Sequence, residues 1–232
     1  MNIQKWVDLM LCLNLNFERK KMKILNLYAG VGGNRMLWSE KHEVTAVEFN
    51  ESVANCYKTL YPKDEVIIGD AHQFLIDHYH EFDFIWASPP CQSHSSVRQC
   101  VAKSYWENLD KPNMSGNKPI YPDMKLWQEI IFLQHHAKCD WVIENVNPYY
   151  KPFLQPSFTL GKHIYWTNKF ILTPKIEGFR GHDLKNKSLE KLKKIDLSNF
   201  KFEGIDKRQV LRNMVEPEDG LTVFELITGD KK

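Results

Sequence analysis

Met22-Lys-Ile-Leu-Asn-Leu-Tyr28-Ala-Gly-Val-Gly-Gly33 reads as a strand running into a glycine loop, and Glu43-Val-Thr-Ala-Val-Glu48 reads as the next strand. Residues 23–28 form a short apolar run stopped by Ala29-Gly30, the pattern of a strand buried on both faces. Glycines at that point let the backbone approach a ligand closely. Residues 33–40 are expected to form a helix whose N-terminus would favour polar or anionic groups. Glu48 lies 18 residues beyond Gly30, placed to hold ribose hydroxyls. The full Gly-x-Gly-x-x-Gly fingerprint is not met, so a tight turn packed on a helix stays open as the plain alternative. The loop alone does not decide whether an adenosine-type ligand carries a pyrophosphate.

Working outward, residues 50–60 read as a helix with Asn50 as N-cap, and Glu65–Ile68 as a third strand. Residues 71–80 read as a helix capped by Asp70, and residues 82–87 as a fourth strand stopped by Ser88-Pro89-Pro90. Residues 123–137 read as a longer helix and residues 141–144 as a fifth strand. Strands alternating with helices imply βαβ units and a mostly parallel sheet covered on both faces. Right-handed crossovers make this a Rossmann-like, doubly wound α/β fold, with ligands beyond the carboxyl ends of the strands. Further on, residues 163–168 and 169–172 are expected as strands, 184–195 as a basic helix and 221–227 as an apolar helix. Residues 93–122 show no periodicity, and an internal stretch that long is expected to be a functional lid.

The chain has 232 residues, 43% hydrophobic and 26% charged. This composition excludes a disordered or disulfide-scaffold protein. No apolar run is long enough for a membrane span. Five widely spaced cysteines without a Cys-x-x-Cys pair read as reduced thiols in a cytosolic protein. Residues 1–21 read either as a loose helix on the body or as an upstream start. They lack a signal-peptide cleavage pattern. Net charge is only +2, but residues 162–212 carry 13 Lys/Arg against 6 Asp/Glu, a net of +7 that leaves −5 on the rest. A basic segment on an acidic body suits contact with phosphates, and a solvated lysine-rich surface is the alternative.

Chemistry-bearing residues gather at the predicted strand ends. Cys91 follows the fourth strand in a turn stiffened by Pro89 and Pro90, where this fold builds active sites, which favours a nucleophile. Glu144-Asn145 ends the fifth strand and would meet Cys91 at one sheet edge. Asp70, after the third strand, suits both a helix cap and a ligand contact. His72, His78 and His80 fall on one short helix without sharing a face, His135 and His136 are read as a solvated helix end, and no metal site is expected.

In this order, Leu27-Tyr-Ala-Gly-Val-Gly-Gly33, Glu48, Gly69-Asp70, Pro90-Cys91-Gln92 and Glu144-Asn145-Val146 resemble the cytosine-5 DNA methyltransferase family from residue 22 to about 168. The resemblance implies S-adenosyl-L-methionine, converted to S-adenosyl-L-homocysteine, held by Tyr28, Ala29, Gly30, Gly32, Gly33, Glu48, Phe49, Asp70, Ala71, Pro89 and Asn213. Tyr28 stands where the family usually has phenylalanine. It implies Cys91 as the nucleophile toward C6 of a flipped-out cytosine. Glu144 would assist at N3, with His163 beside them. Pro90, Gln92, Ser95, Arg98, Asn145 and Lys162 would contact the substrate. It also implies double-stranded DNA as partner, a monomer, and a bacterial cytoplasmic setting, phage-encoded or not, with or without a companion restriction enzyme.

Two departures stand out. Gly161 and His163 occupy the positions of the family's Arg-x-Arg element, and Arg212 stands where it has glycine before Asn213. The expected division is an extension over 1–21, a catalytic domain over 22–168, a small target-recognition region over 169–206, and a segment returning to the catalytic domain over 207–232. So short a recognition region, rich in lysines at 185, 187, 191, 193 and 194, implies low sequence specificity. Three alternatives stay open: an RNA cytosine-5 methyltransferase, an amino-group methyltransferase using Ser88-Pro89-Pro90, and an inactive DNA-binding protein.

Overall fold

The structure, a computed structural model, describes residues 20–96, 120–172, 175–176 and 186–230. The strands are β1 (Lys23–Leu27), β2 (Glu43–Glu48), β3 (Glu65–Ile68), β4 (Phe84–Ala87), β5 (Asp140–Val146), β6 (Phe158–Leu160), β7 (His163–Thr167) and β8 (Lys175–Ile176). The helices are α1 (Glu51–Leu60), α2 (Ala71–His78), α3 (Lys125–His136), α4 (Asn186–Leu192), α5 (Lys207–Asn213) and α6 (Pro217–Thr228). They build one eight-stranded sheet in the order β3-β2-β1-β4-β5-β7-β6-β8. The five strands from β3 to β5 pair in parallel, while β7 runs antiparallel to both β5 and β6. This is the expected doubly wound α/β architecture.

The period-2 alternation of each central strand divides the core in two. Leu25 and Leu27 of β1 and Ile85 and Ala87 of β4 face one side, against α2 and α3. Ile24, Phe84 and Trp86 face the other, with Trp38, Phe224 and Ile227. Ile24, Leu25, Leu27, Ile85 and Trp86 are all fully buried. Central strands of this sheet therefore lack the one-sided polar pattern of an exposed sheet.

One expected helix does not form. Residues 33–40 run instead as successive turns, with Arg35 N–H donating to Gly32 O, Met36 N–H to Gly33 O and Trp38 N–H to Arg35 O. Tertiary contacts override the helical pattern here. The Asn34 side chain exchanges hydrogen bonds with Asn26 inside the core. The Arg35 guanidinium binds both oxygens of Asp64 and the carbonyl of Trp38. A Cβ on Gly33 would overlap Val215 O and the Met214 side chain, so that residue is clamped against the C-terminal segment. Arg35 and Asp64 side chains are only 6% and 2% exposed. Arg35→Ala strands a buried carboxylate and is expected to cost about 3–5 kcal/mol, read as a lower midpoint in urea unfolding.

Residues 169–172, expected as a strand, do not form one. The chain leaves the sheet after β7 and rejoins it only at the two-residue β8, the edge strand beside β6. No helix among the described residues is long and apolar enough to cross a membrane.

Candidate active site

From β1 the chain moves outward to β2 and β3, then returns to β4 on β1's other side. The crevice beyond the carboxyl ends of β1 and β4 is therefore the point where strand order reverses, the place such sheets hold ligands. A cavity of about 530 Å³ opens there. Tyr28, Ala29, Gly30, Gly33, Glu48, Phe49, Asp70, Ala71, Pro89 and Asn213 line it, as do Pro90, Cys91, Gln92, Glu144, Asn145 and His163.

Glu48 is fixed by the backbone. Its Oε2 accepts from Gly30 N–H and its Oε1 from Asn50 N–H, both at 2.9 Å. This corrects the expectation of an anion-binding helix end, because no helix follows the loop and the Gly30 amide is taken by a carboxylate. Glu48, Asp70, Asp123 and Glu144 all line the cavity. Lys125 and Arg212 line it too, so these groups sum to −2, which still disfavours a pyrophosphate and suits a nucleoside whose other end is cationic. Gly32, expected at the cofactor, is not among the lining residues. It lies off the cavity at φ 77°, with its carbonyl accepting from the Tyr61 hydroxyl at 2.8 Å. A Cβ there would overlap the Tyr57 and Tyr61 rings, so this glycine shapes the loop from behind.

Asp70 caps its helix as expected and also lines the cavity. Oδ1 accepts from His72 N–H at 2.8 Å, capping α2, and Oδ2 lies 3.4 Å from Lys125 Nζ. Tyr28 holds a left-handed backbone at φ 56°, uncommon for an aromatic residue. Its hydroxyl donates to Glu129, whose Oε1 also stands 2.8 Å from His72 Nδ1. Burial raises the Glu129 carboxyl pKa, and the Glu129 contact raises that of His72. His72 therefore belongs to a network behind the cavity.

The Cys91 turn is tied to the end of β5. Asn145 Nδ2–H donates to Pro89 O, and its Oδ1 accepts from Val146 N–H, both at 2.9 Å. The Asn145 side chain thus holds the turn, although the residue borders the cavity. The Cys91 carbonyl accepts from His94 and Ser95 N–H at 3.0 Å. Ser95 forms an isolated bridge with Pro148 and does not reach the cavity. His94 Nδ1 lies 2.6 Å from the Tyr150 hydroxyl. Glu144 is 7% exposed, with His163 Nε2 at 3.5 Å from its Oε1. Lys162 is exposed at the turn before β7. Arg98 and most of the expected lid lie outside the described residues.

Burial pushes the Cys91 thiol up to about 11, the Glu144 charge adds to the rise, and Lys162 opposes it. A raised pKa keeps sulfur protonated below that pH, leaving a thiolate fraction of about 10⁻⁴ at pH 7. Alkylation of Cys91 by iodoacetamide in the free protein should therefore climb about tenfold per pH unit from 7 to 10. Peptide mass spectrometry of the modified protein measures this, and a plateau below pH 9 would contradict it.

Residues 22–110 match the family model of C-5 cytosine-specific DNA methylases. The matched segment contains the glycine loop, Glu48, Asp70 and Cys91. Glu144, His163 and Asn213 lie beyond it and join it only in space. The comparison with curated proteins gives no match. Among solved structures, a hypothetical protein of Thermus thermophilus aligns at TM-score 0.39 and 14% identity, covering 72% of this chain and 85% of its own. A SAM-dependent methyltransferase from Agrobacterium tumefaciens aligns at 0.39 and 14%, covering 64% and 45%. A protein encoded within an Escherichia coli prophage, described as a candidate DNA modification methyltransferase, aligns at 0.34 and 16%, covering 56% and 34%. At such scores these likenesses carry no argument about chemistry.

Several residues around the cavity escaped the sequence reading. Asp123 and Lys125 line the cavity from the start of α3, and Asp123 N–H donates to Ser93 Oγ at 2.9 Å. An aspartate opening a helix just after a long loop was the available signal. Ile205, Met214 and Val215 form the far wall, and no local pattern marks them. Arg212, noted only as a departure, also lines the cavity. Among the described residues no group of His, Cys, Asp or Glu could hold a metal ion.

Proposed function

We propose that the protein is a DNA (cytosine-5-)-methyltransferase using S-adenosyl-L-methionine and a covalent Cys91–C6 adduct. The observation that carries this reading is the single cavity lined both by Gly30, Glu48 and Asp70 and by Cys91, Glu144 and His163. The methylase match over residues 22–110 supports cytosine C5 as the target class. The acidic, glycine-bordered crevice fits the cofactor. Glu48 would accept from the ribose hydroxyls, Asp70 would face the adenine edge, and Tyr28 and Phe49 would bracket it. S-adenosyl-L-methionine supplies an electrophilic methyl group and leaves as S-adenosyl-L-homocysteine.

The chain's own residues would do the rest. The Cys91 thiolate adds to C6 and breaks the C5–C6 double bond. Glu144 holds the N3 edge and supplies the proton that offsets charge there, which leaves C5 electron-rich. After C5 is methylated, loss of its proton re-forms the double bond and expels the thiolate. His163 sits beside Glu144, where it can share that proton. A stacked base cannot reach Cys91, so the cytosine must be flipped out at a cost of a few kcal/mol. The raised Cys91 pKa means that the resting protein holds a thiol, and activation belongs to the substrate complex.

Parallel tritium-transfer assays on duplex DNA and transfer RNA, followed by nucleoside analysis, test the proposal. 5-Methylcytosine in DNA is expected. Methyl transfer confined to RNA, or N4-methylcytosine or N6-methyladenine as product, would overturn it.

A further inference from the structure

The lysine-rich stretch after β8 invites a reading as a phosphate-binding surface, but several of its described residues face inward. Leu189, Ile195 and Leu197 pack with Val31, Val53, Cys56, Val210, Leu211 and Met214 in one buried cluster. Lys193 is 3% exposed, the one lysine buried among the described residues. Its Nζ donates to Met214 O and, at 3.1 Å, to Glu216 Oε1. Met214 and Val215 press on Gly33 so closely that a Cβ there would overlap them. Met214 and Val215 line the cavity as well. The next part of the same stretch is stapled to the other side of the site. Asn50 Nδ2–H donates to Glu203 O at 2.8 Å and Glu203 N–H to Ser52 Oγ at 2.9 Å, while Asn50 N–H holds Glu48. Ile205, immediately beyond, borders the cavity.

We propose that Lys193 is a positioning residue for the cofactor site. It latches the 214–216 segment onto the Gly30–Gly33 loop, so residues 186–206 brace the cavity wall, which Ile205 joins directly, rather than serving only as a DNA-reading surface. This rests on the assignment of the cavity to S-adenosyl-L-methionine. A buried ammonium is costly unless it is paired and hydrogen-bonded, and here a carbonyl and a carboxylate accept two of its three N–H groups. Removing the lysine frees the 214–216 backbone and leaves Glu216 uncompensated. A phosphate-binding lysine would behave differently, since its loss lowers DNA affinity and reduces the slope of log K against log salt by about one.

The test compares wild type, Lys193→Met, Lys193→Met/Glu216→Gln and, as a surface control, Lys191→Met/Lys194→Met. S-Adenosyl-L-homocysteine binding is measured by calorimetry well below each melting temperature. Duplex-DNA binding is measured across salt, and hydrogen exchange at 214–216 in protein without ligand. Lys193→Met should bind S-adenosyl-L-homocysteine at least tenfold more weakly and exchange faster at 214–216, with the wild-type salt slope. If that variant does not fold, the double variant decides. It lacks the unpaired carboxylate but still leaves Met214 O unanchored, so the same weakening is expected. Wild-type affinity in either folded variant, unchanged exchange at 214–216, or a reduced salt slope would overturn the proposal. If wild type binds no S-adenosyl-L-homocysteine, the cofactor assignment fails, and the exchange measurement alone judges the latch.

Discussion

Cys91→Ala is expected to lower methyl transfer by about 10⁴–10⁶-fold, the loss typical of removing a covalent nucleophile, while S-adenosyl-L-homocysteine still binds with wild-type affinity. The split follows from the geometry. Cys91 is reached through the Pro89–Pro90 turn, and that turn is held by Asn145 and by the 94–95 amides, none of which needs the thiol. The groups proposed to hold the cofactor, Glu48 and the Gly30 loop, are fixed by their own hydrogen bonds on the other side of β1. Single-turnover rates and calorimetry on the same preparation check both halves. Lost activity together with lost S-adenosyl-L-homocysteine binding would mean that the thiol supports the fold of the cavity rather than the reaction.

Glu144→Gln should move two rates in opposite directions. Methyl transfer should fall by about 10²–10⁴-fold, the range for a general acid or base, because an amide cannot supply the N3 proton. Alkylation of Cys91 by iodoacetamide should speed up, because the Glu144 charge is one of the causes holding the thiol pKa near 11. Glu144 is 7% exposed and pairs in register with Tyr165 of β7, so the near-isosteric amide fits the same place. Parallel assays on one variant detect the divergence. Rates falling together would indicate a distorted site, and an unchanged methyl-transfer rate would remove Glu144 from the mechanism.

What could be read from the chain beforehand was set by how local each interaction is. β2 and β3 appear with the expected bounds because each is an uninterrupted run between turn signals. Asn50 and Asp70 cap their helices as expected, since a cap depends on residues two or three positions away. The missing helix after Gly33 shows the converse: Asn34, Arg35 and Trp38 answer to Asn26, Asp64 and Gly220. β6 and β8 have three and two residues, too short for a periodic signal, and exist through their sheet partners. α5 is a seven-residue helix capped by Asp206, short enough to be read only as part of a motif. The cavity itself was legible in outline, because strand ends in this fold converge. Its inner supports were not. Tyr28 meets Glu129 across 101 residues, and Lys193 looks in sequence like its exposed neighbours.

The central claim is a covalent bond between Cys91 and a cytosine of DNA, and mechanism-based trapping tests it most directly. Duplex DNA containing 5-fluorocytosine, incubated with the protein and S-adenosyl-L-methionine, should yield an adduct that survives denaturing electrophoresis, because fluorine cannot leave C5 as a proton does. Mass spectrometry should place the adduct on Cys91, and Cys91→Ser should form none. An adduct-free product methylated on an amino group, or an adduct that persists in Cys91→Ser, would contradict the account.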